Sequence, residues 1–201
     1  MKASVLFSSG KDSSLAAILM EPFFDIELVT INFGILPTYK FSKETADKLG
    51  FPIKIVRLEP HLIEEAAKML IGDGYPKRAI NFLHHTSLQV ICSQPDTVVV
   101  ADGIRRDDRV PMLTKEQIRS LEDTYNISYI QPLMGYGRSC VNILVKKHLK
   151  IVEGESEKIE KSDYEVELRS FIRKQYNKGD SIVKSLFPEH IQSHVISRKN
   201  S

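Results

Sequence analysis

Short apolar runs alternate with amphipathic segments along the first 150 residues of the chain. Apolar runs bounded by Gly, Pro and polar residues are typical of buried strands, whereas apolar residues spaced three and four apart are typical of helices. The runs predict five strands, at 4–7, 26–33, 53–58, 97–101 and 127–130. The helical spacings predict six helices, at 12–20, 43–49, 62–71, 76–92, 115–124 and 141–149. Strands separated by helices indicate right-handed βαβ units and a parallel sheet.

The pattern changes after residue 150. Residues 153–161 are dense in charge, and residues 164–176 have the apolar spacing of an amphipathic helix. We therefore interpret residues 151–201 as a helical extension packed on an α/β core of residues 1–150.

Composition and charge narrow the class of protein without giving a function. The chain has 201 residues, of which 42% are hydrophobic and 27% charged, so a folded globular protein is expected. Its net charge is +2, from 28 basic and 26 acidic residues, which argues against a histone-like positive surface but permits a local basic patch. Two cysteines are too few for a disulfide framework, and no apolar run approaches the roughly 20 residues of a membrane span. We expect a cytoplasmic protein.

The turn after the first predicted strand carries the strongest chemical signal. It contains, in order, Ser8, Ser9, Gly10, Lys11, Asp12, Ser13 and Ser14. Ligands of parallel α/β sheets bind beyond the carboxyl ends of the strands, and a helix N-terminus attracts anions. Four hydroxyls, a glycine and a lysine there favour phosphate binding over an ordinary capped helix start. Neither the dinucleotide-binding fingerprint nor the P-loop NTPase motif is present.

Residues 8–13 resemble the S-G-G-x-D-S signature of the PP-loop ATP pyrophosphatases, the N-type adenine nucleotide α-hydrolases, with Ser9 at a position that is usually Gly. Residues 32–34 are similar to the family's adenine-flanking strand end, and residues 101–108 to its strand-four segment. Residues 131–133 resemble its R-P-L motif, with Gln131 in place of Arg. The resemblance spans about residues 4–135 and is strongest to small PP-loop proteins related to tRNA 2-thiouridylases.

The predicted fold class is therefore α/β. We expect a Rossmann-like (HUP-type), doubly wound, parallel five-stranded sheet with a C-terminal helical extension. Residues 1–150 would be the PP-loop ATP pyrophosphatase domain.

The resemblance also implies an activity. Family members cleave ATP between the α- and β-phosphates, adenylate a carbonyl oxygen and release pyrophosphate, after which a nucleophile displaces AMP. It implies ATP and Mg²⁺ as cofactors, tRNA or another RNA as substrate, and a transferase or ligase acting in tRNA modification. The implied pyrophosphate-binding residues are Ser8, Ser9, Gly10, Ser13 and Ser14. Asp12 would act catalytically with Lys11 and bind the Mg²⁺, Asn32 and Phe33 would flank the adenine, and Gly103 would admit the nucleotide closely.

A charged cluster follows the fourth predicted strand, at 105–109. Such a run is commonly a solvated turn with internal ion pairs. Its place at the carboxyl edge of the sheet instead favours contacts to the nucleotide from Arg105, Asp107 and Asp108, and either aspartate could hold a second metal. Its arginines could also bind the triphosphate or a polynucleotide backbone, with Lys77, Arg78 and Arg138 extending the basic patch.

The histidines and cysteines give weaker signals. His84 and His85 are adjacent on a predicted helix and point about 100° apart, so packing or surface exposure is favoured over a shared metal. Cys92 lies in an apolar context, and Cys140 follows a partly basic loop and is the better candidate for a reactive thiol. Neither lies in a cysteine motif of the family.

Two other functions stay open. One is a nucleotide-binding subunit without catalysis, and the other is a small-molecule amide or thio ligase that uses the same adenylation. Only about fifty residues follow the predicted core, so we expect a protein partner that supplies RNA recognition or sulfur, and we consider a homodimer.

Overall fold

The five predicted strands form one parallel sheet in the computed structural model, which describes residues 1–155, 159, 161–187 and 191–199. They are β1 (Lys2–Leu6), β2 (Asp25–Asn32), β3 (Ile53–Arg57), β4 (Val99–Ala101) and β5 (Ser128–Ile130). The order across the sheet is β3-β2-β1-β4-β5. The strand order thus reverses at β1, so a crevice forms outside the carboxyl ends of β1 and β4.

Helices cover both faces of this sheet. They are α1 (Lys11–Met20), α2 (Tyr39–Leu49), α3 (His61–Asp73), α4 (Lys77–Cys92), α5 (Lys115–Tyr125) and α6 (Arg138–His148). Helices α1, α2 and α6 contribute to the core on one face, and α3, α4 and α5 to the core on the other. In β4, Val99 and Ala101 face the first core and Val100 faces the second, which explains why this strand carries no charge. The predicted doubly wound α/β fold is confirmed.

The C-terminal segment corrects one prediction, because it is not wholly helical. It consists of β6 (Leu149–Glu155), α7 (Tyr164–Gln175), α8 (Gly179–Leu186) and β7 (Ile191–Arg198). Strands β6 and β7 form an antiparallel pair, in which Ile151 lies opposite Val195. The partner residues are about forty positions apart in the chain, so neither strand has a hairpin signal beside it. Within the described ranges, no helix has the length and apolar character needed to cross a membrane.

The C-terminal segment packs on both faces of the sheet. Leu168 and Ile172 of α7 join the core that contains α3 and α4. Leu149 and Val195 join the core that contains α1 and α2. The strand pair and α7 therefore close the sheet from opposite sides.

A carboxylate from α7 holds the loop that follows β2. Glu167 is fully buried and accepts hydrogen bonds from the backbone N–H groups of Phe33 (2.9 Å), Ile35 (2.9 Å) and Leu36 (3.2 Å). Burial raises the pKa of Glu167, and the three N–H donors offset only part of that rise. Because buried N–H groups need acceptors, this carboxylate fixes both the loop and the position of α7.

Replacing this carboxylate by an amide tests its role. We expect Glu167→Gln to lower the free energy of unfolding by about 2 kcal/mol, because an amide nitrogen then faces backbone donors. Urea unfolding followed by circular dichroism measures the change. Glu44→Gln, at an exposed position on α2, is the matched control and should stay within about 0.5 kcal/mol of the wild type. Equal midpoints for the two variants would contradict the assignment.

Candidate functional site

A cavity of about 660 Å³ lies at the carboxyl ends of β1 and β4. Val5 of β1 pairs with Ala101 of β4, so the residues that follow the two strands emerge side by side. The volume is that of a small-molecule site. The predicted site residues that line it are Ser8, Gly10, Lys11, Asp12, Ser13, Gly103, Arg105 and Asp108. The structure thus brings most of the predicted site together.

The other predicted residues do not line this cavity. They are Ser9, Ser14, Asn32, Phe33 and Asp107. The Asn32 amide donates to the backbone oxygen of Leu36 (2.8 Å), and Phe33 is fully buried in the hydrophobic core. The structure therefore gives no support to the predicted adenine contacts of Asn32 and Phe33, because the first side chain is hydrogen-bonded to the backbone and the second is packed in the core.

The loop between β1 and α1 has a strained residue at its centre. Ser9 has φ +63°, in the left-handed region that favours glycine. The next residue, Gly10, is the N-cap of α1 and has no side-chain cap. The Ser13 hydroxyl donates to the backbone oxygen of Gly10 (3.2 Å), and so does that of Ser14 (2.8 Å). Several loop hydroxyls therefore hold the turn itself.

Asp12 has an oxygen that the fold leaves without a partner. Its Oδ1 is buried, and no group among the described residues donates a hydrogen bond to it. Its Oδ2 lies 3.8 Å from Nε of Arg105. Burial raises the pKa of Asp12, and the nearby charges of Arg105 and Lys11 offset only part of the rise. A carboxylate with one buried oxygen that receives no donor from the described residues is suited to binding a cation or a hydrogen-bond donor from a ligand.

Gly103 packs directly against the first turn of α1. A Cβ on Gly103 would lie 2.6 Å from N of Ser13 and 2.8 Å from C of Asp12, so the backbone requires a glycine at this position. Gly103 also lines the cavity, and its predicted close approach to a nucleotide stays a prediction.

The charged cluster after β4 has features of both predicted interpretations, internal ion pairing and a position at the cavity. Asp108 accepts hydrogen bonds from the backbone N–H of Arg105 (2.8 Å) and from its guanidinium, so these two residues form an internal ion pair at the wall of the cavity. Asp107 is exposed and accepts a hydrogen bond from the N–H of Arg138 (2.9 Å), at the start of α6. The cluster is thus a self-paired turn that still places Arg105 and Arg138 in the cavity wall.

A buried polar cluster at the cavity was not predicted. Asp102 is 2% exposed, and its Oδ2 lies 3.0 Å from Nε2 of His84 and accepts a hydrogen bond from the Tyr129 hydroxyl. Nδ1 of His84 lies 3.1 Å from the Tyr164 hydroxyl. Burial raises the pKa of both tyrosines, which therefore stay neutral. His84 is packed as predicted, but its two partners among the described residues are distant in sequence: Asp102 follows β4, and Tyr164 begins α7. The only sequence signal was an aspartate directly after an uncharged strand.

The two cysteines occupy different environments. Cys92 is buried, and burial raises the pKa of its thiol to about 11, so it is protonated at neutral pH. Cys140 is exposed on α6.

Comparison with known proteins places the chain in a family. Residues 1–197 match the model described as "Family of unknown function (DUF7411)". The chain belongs to this family. The DUF7411 chain is 42% identical to "Uncharacterized protein MJ0690" of Methanocaldococcus jannaschii, over 99% of its own length and 97% of that protein. A crystal structure from the same organism, described as a predicted subunit of tRNA methyltransferase, is 40% identical, covers 100% of both chains and has a TM-score of 0.89.

A more distant structure shares the fold. It is the U34-tRNA thiolase NcsA of Methanococcus maripaludis with its [4Fe-4S] cluster, at 17% identity and a TM-score of 0.54, over 73% of this chain and 56% of that one. Such clusters are held by cysteine thiolates, generally four. The DUF7411 chain has two cysteines in all, and the thiol of Cys92 is buried and protonated. Its own residues therefore do not fit such a cluster.

The strain at Ser9 is testable. We expect Ser9→Gly to raise the free energy of unfolding by about 1 kcal/mol, because it relieves the left-handed backbone and removes a buried hydroxyl that has no partner among the described residues. Urea unfolding measures the change. Ser9→Ala is the control, because it removes the hydroxyl and keeps the strain, and it should gain less. A Gly variant less stable than the Ala variant would contradict this explanation.

The Oδ1 of Asp12, which has no hydrogen-bond donor among the described residues, should lower the stability of the ligand-free protein. At pH 7 we expect Asp12→Asn to have a free energy of unfolding about 1 kcal/mol higher than that of the wild type, because the variant no longer places a charge at this site. The pKa of Asp12 is raised in the folded state. The free energy of unfolding of the wild type therefore falls as pH rises from 3.8 through the folded-state pKa, and the stability advantage of the variant shrinks as pH falls through the same range.

Unfolding curves between pH 4 and pH 7 follow this difference. Asp47→Asn, at an exposed position on α2, is the control and should change little. If Asp12→Asn instead destabilises the protein at pH 7, the carboxylate is structural.

Proposed function

We propose that this chain binds ATP and Mg²⁺ in the cavity between β1 and β4 and adenylates a carbonyl oxygen of a tRNA substrate with release of pyrophosphate. The observation that carries the proposal is the buried Oδ1 of Asp12, in the first turn of α1, which receives no hydrogen bond from the described part of the chain. The S-S-G-K-D-S loop supports it, since its resemblance to the PP-loop signature includes a left-handed backbone at the position where the signature has Gly.

The residues of the loop have separable roles in this proposal. The amide groups at the start of α1 face the phosphates and stabilise negative charge there. Gly10 has no side chain, so a phosphate can approach its backbone closely, and the atoms nearest to that face are the side-chain atoms of Ser8 and Lys161. Lys11 and Arg105 add positive charge at the cavity wall.

Mg²⁺ would be held by Asp12 together with phosphate oxygens, and it would neutralise charge on the phosphates. One carboxylate is sufficient for this, because protein-bound Mg²⁺ commonly keeps several waters and phosphate ligands. The described residues contain no cluster of three or more His, Cys, Asp or Glu side chains that could hold a metal by themselves.

The chemical step forms one bond and breaks one. The carbonyl oxygen of the substrate attacks the α-phosphorus, the bond from the α-phosphorus to the bridging oxygen breaks, and pyrophosphate leaves with the electron pair. The chain's contribution is to orient the triphosphate and to stabilise the charge that develops on the leaving group.

The tRNA substrate rests on relatives and on charge. The relative at 40% identity is described as a predicted subunit of tRNA methyltransferase, and the thiolase that shares the fold acts on tRNA. In this chain, the exposed residues Arg106, Arg109 and Arg138 lie on the turn after β4 and at the start of α6, and Arg138 reaches the cavity. Arginine side chains at such an edge suit contacts to a phosphate backbone.

A second function is a nucleotide-binding subunit without turnover of its own. It is favoured by the description of the full-length relative as a predicted subunit. In that role the same cavity would bind ATP, and a partner would supply the acceptor and the remaining chemistry.

Product analysis separates these functions. With ATP labelled at the α-phosphate, we expect pyrophosphate release only when bulk tRNA is present, with an equal amount of label found either on the tRNA as the adenylate or as AMP displaced from it. Asp12→Ala should reduce the rate by roughly a hundredfold or more, because charge stabilisation at the loop is lost. Asp47→Ala on α2 is the matched control and should keep the wild-type rate.

Each other outcome has a defined meaning. ADP and phosphate as products would contradict adenylation. AMP and pyrophosphate formed with a metabolite mixture and no RNA would identify a small-molecule ligase. ATP binding without any turnover would identify the subunit function.

A further inference from the structure

The C-terminal segment forms one wall of the cavity. Residues 161–165 and 191–193 line it together with the loop after β1. The backbone N–H of Ser162 donates to the backbone oxygen of Ser8 (3.2 Å), and the Ser162 hydroxyl donates to the backbone oxygen of Thr38. The Ser193 hydroxyl accepts a hydrogen bond from the N–H of Lys11 (3.4 Å). This wall is thus attached directly to the loop that we propose binds phosphate.

Lys161 extends from this wall over Gly10. Its Nζ and Cε each lie 3.8 Å from the point that a Cβ on Gly10 would occupy. The side chain is only 14% exposed, so its charge lies within the site and not in bulk solvent. Burial raises the pKa of Asp12, and the charge of Lys161 offsets part of that rise. The ammonium therefore lies beside the glycine of the loop and acts on its carboxylate.

Four lysine and arginine side chains among the described residues line the cavity, and three of them, Lys11, Arg105 and Lys161, have carboxylate partners. Arg105 is hydrogen-bonded to Asp108, and Nζ of Lys11 lies 3.8 Å from the carboxylate of Glu153. Lys161 has Asp163 at 3.7 Å, an ion pair longer than a hydrogen bond. Of the three, it is Lys161 whose ammonium lies beside Gly10.

We infer that Lys161 is a phosphate ligand of the nucleotide, and that the C-terminal segment supplies it. The inference rests on the proposed function, because it takes ATP as the occupant of the cavity. The ammonium donates up to three hydrogen bonds and carries a full charge, both of which suit the β- and γ-phosphate oxygens that leave as pyrophosphate. The α/β core and the C-terminal segment then form one binding site.

Calorimetry on the whole chain tests this with ATP, pyrophosphate and AMP as probes. We expect Lys161→Met to weaken ATP and pyrophosphate binding about ten- to a hundredfold, since a charged hydrogen-bond donor is lost, and to change AMP binding less. Lys161→Arg keeps the charge and should bind ATP within a few fold of the wild type. Lys174→Met, at an exposed position on α7, is the matched control and should leave all three affinities unchanged.

A second measurement needs no variant. Acetylation of the wild-type protein, followed by mass spectrometry, should modify Lys161 more slowly when ATP is present, while Lys174 reacts at the same rate with and without ATP. This readout stands even if a Lys161 variant folds poorly.

The outcomes distinguish a failure of the role of Lys161 from a failure of the proposed function. If the wild type binds neither ATP nor pyrophosphate, the proposed function is wrong. If the wild type and Lys161→Met bind both probes equally, or if ATP does not protect Lys161, only the role of Lys161 is wrong. Equal loss of binding in the Met and Arg variants would also overturn it, because the charge would then not be the cause.

Discussion

The cavity depends on a contact between two backbones. The first turn of α1 lies so close to Gly103 that a Cβ there would approach N of Ser13 to 2.6 Å. This contact lets the two segments that leave β1 and β4 share one edge of the sheet. Asp12 on one segment and Arg105 on the other consequently come within 3.8 Å of each other. A larger residue at 103 would move α1 and separate the groups that define the site.

Glu167 and Asp12 differ in how completely the fold supplies hydrogen-bond donors to their carboxylates. Glu167 receives three backbone N–H donors, whereas Oδ1 of Asp12 receives none from the described residues. Burial raises the pKa of both. A carboxylate whose oxygens all accept hydrogen bonds fixes a loop. A buried oxygen without a donor raises the free energy of the folded protein, and a ligand that supplies the missing interaction removes this penalty. Ser9, with its left-handed backbone and a hydroxyl that has no partner among the described residues, adds strain in the same turn.

Features built from residues close together in sequence were predictable, whereas contacts between distant residues were not. The five strands were predictable because each is a short apolar run closed by turn residues, and the loop was predictable because its residues are contiguous. The pairing of β6 with β7 was not, because it joins distant segments of alternating residues. The bond between His84 and Asp102 links α4 to the end of β4, and the only sequence signal for it is the uncharged strand that precedes Asp102. Packing of His84 was predictable from helix geometry, but its partner, an aspartate 18 residues away, was not.

The C-terminal segment completes the α/β unit rather than following it. Its α7 holds the loop after β2 through Glu167, and its strand pair packs against α1 and α2. The family model runs through residue 197, so these elements belong to the same family unit as the sheet. Because Ser162 bonds to the backbone of Ser8, and both residues line the cavity, its wall combines parts of the chain that are about 150 residues apart. Binding of the proposed ligand would therefore be coupled to the docking of this segment, since each would stabilise the arrangement that the other requires.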